Sequence, residues 1–189
     1  MNDLKLYMIL LGCRPPGRFT EQHDIFFGIG HSLKDLIPEI KASWPEAKGK
    51  IHLDAFREVT SVDGFAIEVV EKPLLQTLEE HKLFFINLGG YKKGEFEEYH
   101  YKTILVARTQ GEAIRLSKQT AFYKHTGFEG APSHIDDKFG IDVDDVFEVK
   151  DILPEVYKEK YRIKITKRQV EEDKLMLGYF PLKQIVEKF

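Results

Sequence analysis

KLYMILLGCRPPGRFTEQH, residues 5–23, and KLFFINLGGYKKGEFEEYH, residues 82–100, decide how this chain is read. Laid over one another at an offset of 77 without a gap, they agree at Lys5/Lys82, Leu6/Leu83, Ile9/Ile86, Leu11/Leu88, Gly12/Gly89, Gly17/Gly94, Phe19/Phe96, Glu21/Glu98 and His23/His100. Chance does not produce that pattern, and an internal repeat sets the architecture before any local feature does. The apolar run of each copy reads as a strand buried on both faces, at the centre of a sheet. The glycine-bearing stretch after it reads as a loop, and Ile25-Phe26-Phe27 and Ile104-Leu105-Val106 as second strands.

Outward from there the register runs into helix starts. Ser32 with Asp35, and Thr109 with Glu112, place a hydroxyl three residues before an acid, close to a capping box. In copy one Leu33, Leu36, Ile37, Ile40 and Trp44 recur at helical spacing, with Pro38 inside the run, where it is expected to bend the axis. Copy two has the smaller Ala113, Ile114, Ser117 and Ala121 on that stripe. Beyond the helix an offset of 82 brings Ile51-His52-Leu53-Asp54 onto Ser133-His134-Ile135-Asp136, and the copies close with Val62-Asp63 … Glu68-Val69 and Val143-Asp144 … Glu148-Val149. The expected fold is α+β: an internal tandem duplication of a ββαβ-type unit, mostly antiparallel, with the two copies about a pseudo-twofold axis because units this small are marginal alone. The boundaries read as 1–72 for unit one, 73–80 for a linker, 81–153 for unit two and 154–189 for a C-terminal extension packed on the repeats. Within that extension Arg162–Lys167 alternates as a strand with one basic face, and Leu175–Phe180 reads as another.

Composition narrows the function classes. The 189 residues are 42% hydrophobic with fourteen Phe and eight Tyr, enough for a real core. A net charge of -3 disfavours a nucleic-acid-coating surface. No stretch approaches the roughly 18 apolar residues of a membrane span. One cysteine, Cys13, excludes an intrachain disulfide and suits a reducing compartment, so the expected location is cytoplasmic. Leu10-Leu11-Gly12-Cys13 mimics a lipoprotein cleavage box, but the same strand pattern recurs in mid-chain at 82–90, where no signal peptide is removed.

The block LGCRPPGRFTEQHD at 11–24, a helix ending near Trp44, then His52-Leu53-Asp54 and Val62-Asp63-Gly64-Phe65, resembles the bacterial domain-of-unknown-function 1543 family, whose unit occurs in one or two copies. The resemblance extends over 4–150 and implies the two-copy fold without implying an activity. Copy two departs from it with Tyr101 in place of Asp24 and Gly90 in place of Cys13.

Chemistry-bearing residues recur as Glu-x-His and His-x-Asp: Glu21, His23, His52 and Asp54 in copy one, Glu98, His100, His134 and Asp136 in copy two. Residues two apart on a strand share a face. Three readings compete: hydrogen bonds that pin the glycine loop to the sheet, a divalent-metal site of imidazole and carboxylate ligands, and acid–base catalysis with a carboxylate orienting an imidazole. No motif implies a cofactor, and the metal stays open on residue type alone. The glycines Gly12, Gly17, Gly89 and Gly94 read as structural turns, since no Gly-Lys-Ser/Thr ending follows and Pro15-Pro16 removes amide donors. The first expectation is a non-catalytic module that binds a small ligand or a protein partner between the repeats. The alternative is a metal-dependent or acid–base enzyme using the recurring residues. The enzyme reading requires that His/acid pairs converge within about 4–6 Å at an open face.

Overall fold

The computed structural model describes residues 4–72, 80–91, 94–119 and 141–188. The fold is α+β, with antiparallel strands in three sheets. The chain divides into two compact units, Met1–Leu75 with Ile152–Phe189, and Gln76–Asp151. The C-terminal extension thus belongs to unit one.

In unit one the apolar strand β1 (Lys5–Cys13) is a central strand, as its continuous hydrophobicity requires. Its hairpin partner β2 (Gln22–Gly30) runs in unbroken register from Lys5↔Gly30 to Cys13↔Gln22. On its other side lies β3 (His52–Glu58), itself flanked by β10 (Met176–Pro181). Tyr7, Ile9, Leu11 and Cys13 are buried. Gly12, on the opposite face of β1, lies beneath polar side chains. The helix expected after β2 is split into a 3-10 turn, Leu33–Leu36, and α1 (Ile37–Ser43). Pro38 therefore falls in the first turn of α1, where its missing N–H has no helical acceptor to lose. A restart replaces the expected bend. Asp35 accepts hydrogen bonds from the backbone N–H of both His31 and Ser32, at 3.0 Å each.

The remaining strands of unit one, β4 (Ser61–Val62), β5 (Phe65–Glu71) and β9 (Tyr161–Lys167), form the second sheet. The basic face of β9 is answered by acid: Lys164 donates to Glu68 at 3.1 Å, and Arg168 lies 3.6 Å from the same carboxylate. Asp173 Oδ1 fastens the following segment by accepting from Thr60 N, Thr60 Oγ1 and Ser61 N at 3.0, 2.7 and 3.1 Å. Tyr157 is buried; burial first, and then Glu39 beside it, push its phenol well above the usual range.

Unit two has β6 (Lys82–Tyr91) between β7 (Glu98–Ala107) and β8 (Ile141–Glu148), with α2 (Gln110–Ser117) against the sheet. Phe84, Ile86, Leu88, Leu105, Ala107 and Ala113 make its buried cluster. The small Ala113 and Ser117 are buried on the helix face, so α2 presents little bulk to the sheet. Thr109 Oγ1 caps the Glu112 N–H at 3.2 Å, and Glu112 returns to the Arg108 N–H at 2.8 Å. Gly111 has nothing within 4 Å of where a Cβ would stand. Gly111→Ala is therefore expected to stabilise unit two by about 0.4–1 kcal/mol, measured by denaturant midpoint.

The strand pairings revise the second half of the sequence comparison. β3 and β8 each lie against the central strand, with Lys5 Nζ donating to Glu58 at 2.9 Å and Lys82 Nζ donating to Glu148 at 3.0 Å. Val59 and Val149, the next residues, are both buried. Glu148-Val149 thus stands where Glu58-Val59 stands, and not where the sequence comparison placed it, against Glu68-Val69. The offset between the two strands is 148 − 58 = 90.

Candidate functional site

Position 12 on β1 faces His23 on β2 and His52 on β3. Direct cross-strand partners share a face, and Glu21, two residues before His23, shares it too. Asp54 reaches the same place by a bulge. Leu10 pairs with Ala55 and Leu11 with Leu53, so Asp54 is the extra residue against β1. On the other side Leu177 pairs with Ala55 and Phe180 with Leu53, leaving Gly178 and Tyr179 opposite Asp54. Both ladders thus break at one level, and bulges of this kind re-aim side chains.

The result joins both expected pairs of copy one into a single cluster. His23 Nε2 lies 3.2 Å from Asp54 Oδ2 and 3.9 Å from Glu21 Oε2. His52 Nε2 lies 3.2 Å from Glu21 Oε1 and 3.3 Å from Asp54 Oδ1. The His52 side chain is only 8% exposed, whereas His23 is 41% and Glu21 47% exposed, so the cluster is sealed at one end and open at the other. Despite these short separations, His52 Nε2 and Asp54 Oδ2 are buried without a hydrogen-bond partner. An imidazole held close to two carboxylates, yet aligned with neither, has not been used up as a structural hydrogen bond.

Gly12 makes the arrangement sterically feasible. A Cβ there would fall well inside 3.0 Å of both His52 Nε2 and Asp54 Oδ2. The requirement is close approach rather than turn geometry, which corrects the expectation that Gly12 serves a turn. Gly17 does serve one: its φ is 81°, and Arg18 N donates to Pro15 O at 3.2 Å, the geometry of a type II turn with Pro16 before the glycine. Gly94 has the same φ of 81°.

The ring of Tyr179 lies on the ring of His52, centroids 4.2 Å apart and tilted by 38°. Sequence reasoning missed this residue. The strand that carries it was legible, but its bulge and its distant partner were not. Cys13, although next to Gly12, is buried, and its thiol is pushed up by that burial and further by Glu21, which leaves it a poor nucleophile.

Unit two repeats part of the plan. Gly89 faces His100 on β7 and Asp142 on β8. Asp144 is skipped between Val143 and Asp145, as Asp54 is between Leu53 and Ala55, and its carboxylate lies over Gly89. His100 Nε2 is 3.4 Å from Asp144 Oδ2. Asp144 is thus the acid that His100 meets, and it takes the ladder position of Asp54, which the sequence comparison had matched with Asp136. His134 and Asp136 lie outside the described residues. Glu98 faces Tyr91, its direct cross-strand partner, and pushes that phenol up. The position across from Gly89 is thus aspartate where unit one has His52. Among the described residues no group of three or more His, Cys, Asp or Glu side chains is already set around a metal position.

Among the described residues no helix is long and apolar enough to cross a membrane. No curated protein matches the chain. A crystal structure of a protein Il1583 from Idiomarina loihiensis is similar in fold, at 23% identity and a TM-score of 0.62, over 95% of this chain and 97% of that one. Residues 18–69, which hold Glu21, His23, His52 and Asp54, match the family model described as a Domain of Unknown Function (DUF1543).

Proposed function

We propose that unit one carries an acid–base site in which Asp54 and Glu21 orient and polarise His52, with His23 at the open end. The observation that carries this reading is the His52 imidazole: buried, pressed against two carboxylates, and with no hydrogen bond at Nε2. Such a group is poised to exchange a proton with a bound molecule, which is what a general base requires. The half-exposed Glu21 and His23 give that molecule access. A reading in which the chain only binds a ligand uses the same residues but leaves the two carboxylates beside one buried imidazole without a purpose.

The two units support descent from one by duplication. Each has a glycine under a bulged aspartate, a histidine across from that glycine, and a Lys–Glu pair at the other end of the sheet. On this reading unit two keeps the scaffold and has lost one imidazole. The buried single cysteine suits a reducing compartment, and we place the protein in the cytoplasm.

Asp54→Asn separates a site from a structural hydrogen bond. Removing one of two neighbouring carboxylates relieves repulsion, so the variant is expected to keep or raise its melting temperature at pH 8. A fall of more than about 4 °C would assign the cluster to holding the fold. A panel of ester, amide and phosphoester substrates assayed with wild type and His52→Gln completes the test, with turnover expected in the wild type alone.

A further inference from the structure

Resting on the reading of this cluster as a functional site, we propose that Glu21, His23, His52 and Asp54 bind one divalent transition-metal ion in unit one, with the His52 imidazole then serving as a ligand in place of a base. The donors are two imidazole nitrogens and two carboxylates, a set that suits zinc and its first-row neighbours rather than calcium or magnesium. Their spacing carries the argument. Metal bonds of about 2.0–2.2 Å place neighbouring donor atoms about 2.8–3.6 Å apart, from octahedral to tetrahedral geometry. Three of the four nitrogen–oxygen separations are 3.2, 3.2 and 3.3 Å, His52 facing Glu21 Oε1 and Asp54 Oδ1 and His23 facing Asp54 Oδ2, and at that range His52 Nε2 and Asp54 Oδ2 make no hydrogen bond. Atoms that approach one another without bonding are disposed towards a shared centre.

The second observation is independent of spacing. His52 Nε2 and Asp54 Oδ2 are buried without partners, and a cation between them would satisfy both. Two adjacent carboxylates favour such a cation electrostatically, because like charges held together raise the energy of the empty cluster. The fourth separation, His23 to Glu21, is longer, at 3.9 Å, and as they stand the four side chains do not form a group that holds an ion. Glu21 is 47% exposed, and a side-chain rotation shortens that separation without moving the strands. Tyr179 lies against the His52 ring and limits how far the imidazole can turn. Unit two offers a comparison within the same chain, because the register position of His52 is occupied there by Asp142.

The test uses tag-free full-length protein, stripped with chelator, dialysed, and titrated with zinc or manganese by calorimetry and by thermal unfolding. The expected result is one ion per chain at unit one, with a dissociation constant below about 10 µM and a rise in melting temperature of about 5 °C or more at millimolar metal. Glu21→Gln should weaken binding at least tenfold, and His52→Gln should abolish it, while His100→Ala binds as wild type does. Glu21 is half exposed, so its variant folds even if His52→Gln does not. No heat and no shift at 1 mM metal would overturn the proposal, as would wild-type affinity in Glu21→Gln. If the ion fails to bind while Asp54→Asn keeps its melting temperature, the acid–base reading survives alone. If Asp54→Asn also loses stability, both fall together.

Discussion

Gly12→Ala is expected to dismantle the unit-one cluster and to destabilise unit one by about 1–3 kcal/mol, the range for forcing atoms into a packed site. The added methyl would overlap His52 Nε2 and Asp54 Oδ2, and His52 Cε1 would be 2.9 Å away. Asp54 can swing towards solvent. His52 cannot do so easily, because it is buried and Tyr179 lies on its ring. The imidazole must therefore leave its place or the strands must separate. Denaturant unfolding measures the first consequence, and chemical-shift changes of His23 and His52 report the second. Unchanged histidine signals in a folded Gly12→Ala protein would show that the cluster does not depend on this contact. Gly89→Ala makes an informative companion, since the overlap there is with the carboxylate of Asp144 alone.

Ile86→Ala should have the largest effect on stability alone, a loss of about 2–5 kcal/mol. Ile86 is fully buried on the central strand of unit two, in the cluster with Phe84, Leu88, Leu105 and Ala113. Small domains have only about 5–15 kcal/mol in total, so a unit of this size would lose a large share of its margin. Ile86→Val, which removes one methyl group, should cost about 0.5–1.5 kcal/mol. Equal losses for the two variants, measured by denaturant midpoint, would contradict the packing argument.

How much of this could be read in advance depends on the range of the interactions. The central strands were legible because apolar runs such as Leu6–Leu11 and Leu83–Ile86 leave few alternatives. The hairpins β1–β2 and β6–β7 followed from adjacency, and the helix starts from local capping chemistry. Glu21, His23, His52 and Asp54 were identifiable as residue types in a repeated pattern, but their meeting required the strand pairings. The sequence comparison missed Asp144 for a specific reason. A bulge leaves no signature in composition, and the segment between α2 and β8 is longer than its counterpart between α1 and β3, so one offset cannot carry through. Asp54-x-x-x-Glu58-Val59 and Asp144-x-x-x-Glu148-Val149 do match, and that spacing would have found Asp144. Pro38 misled because helical periodicity does not distinguish one helix from a 3-10 turn followed by a second start. Tyr179 was out of reach because it meets His52 across 179 − 52 = 127 positions of chain.

The place of β10 beside β3 bears on how the chain matures as it leaves the ribosome. From Glu58 at the end of β3 to Pro181 at the end of β10 is 181 − 58 = 123 residues, which synthesis at about 5–20 residues per second spreads over roughly 6–25 seconds. Unit two, whose last strand ends at Glu148, has all its strands before unit one has its own. Throughout that interval β3 presents an unpaired edge, and β5 awaits β9 in the same way. The polar cluster, drawn from residues 21 to 54, is translated well before the strand that encloses it. A nascent chain stalled anywhere before Tyr179 carries His52 without its cover, so completion of the site reports that β10 has been translated.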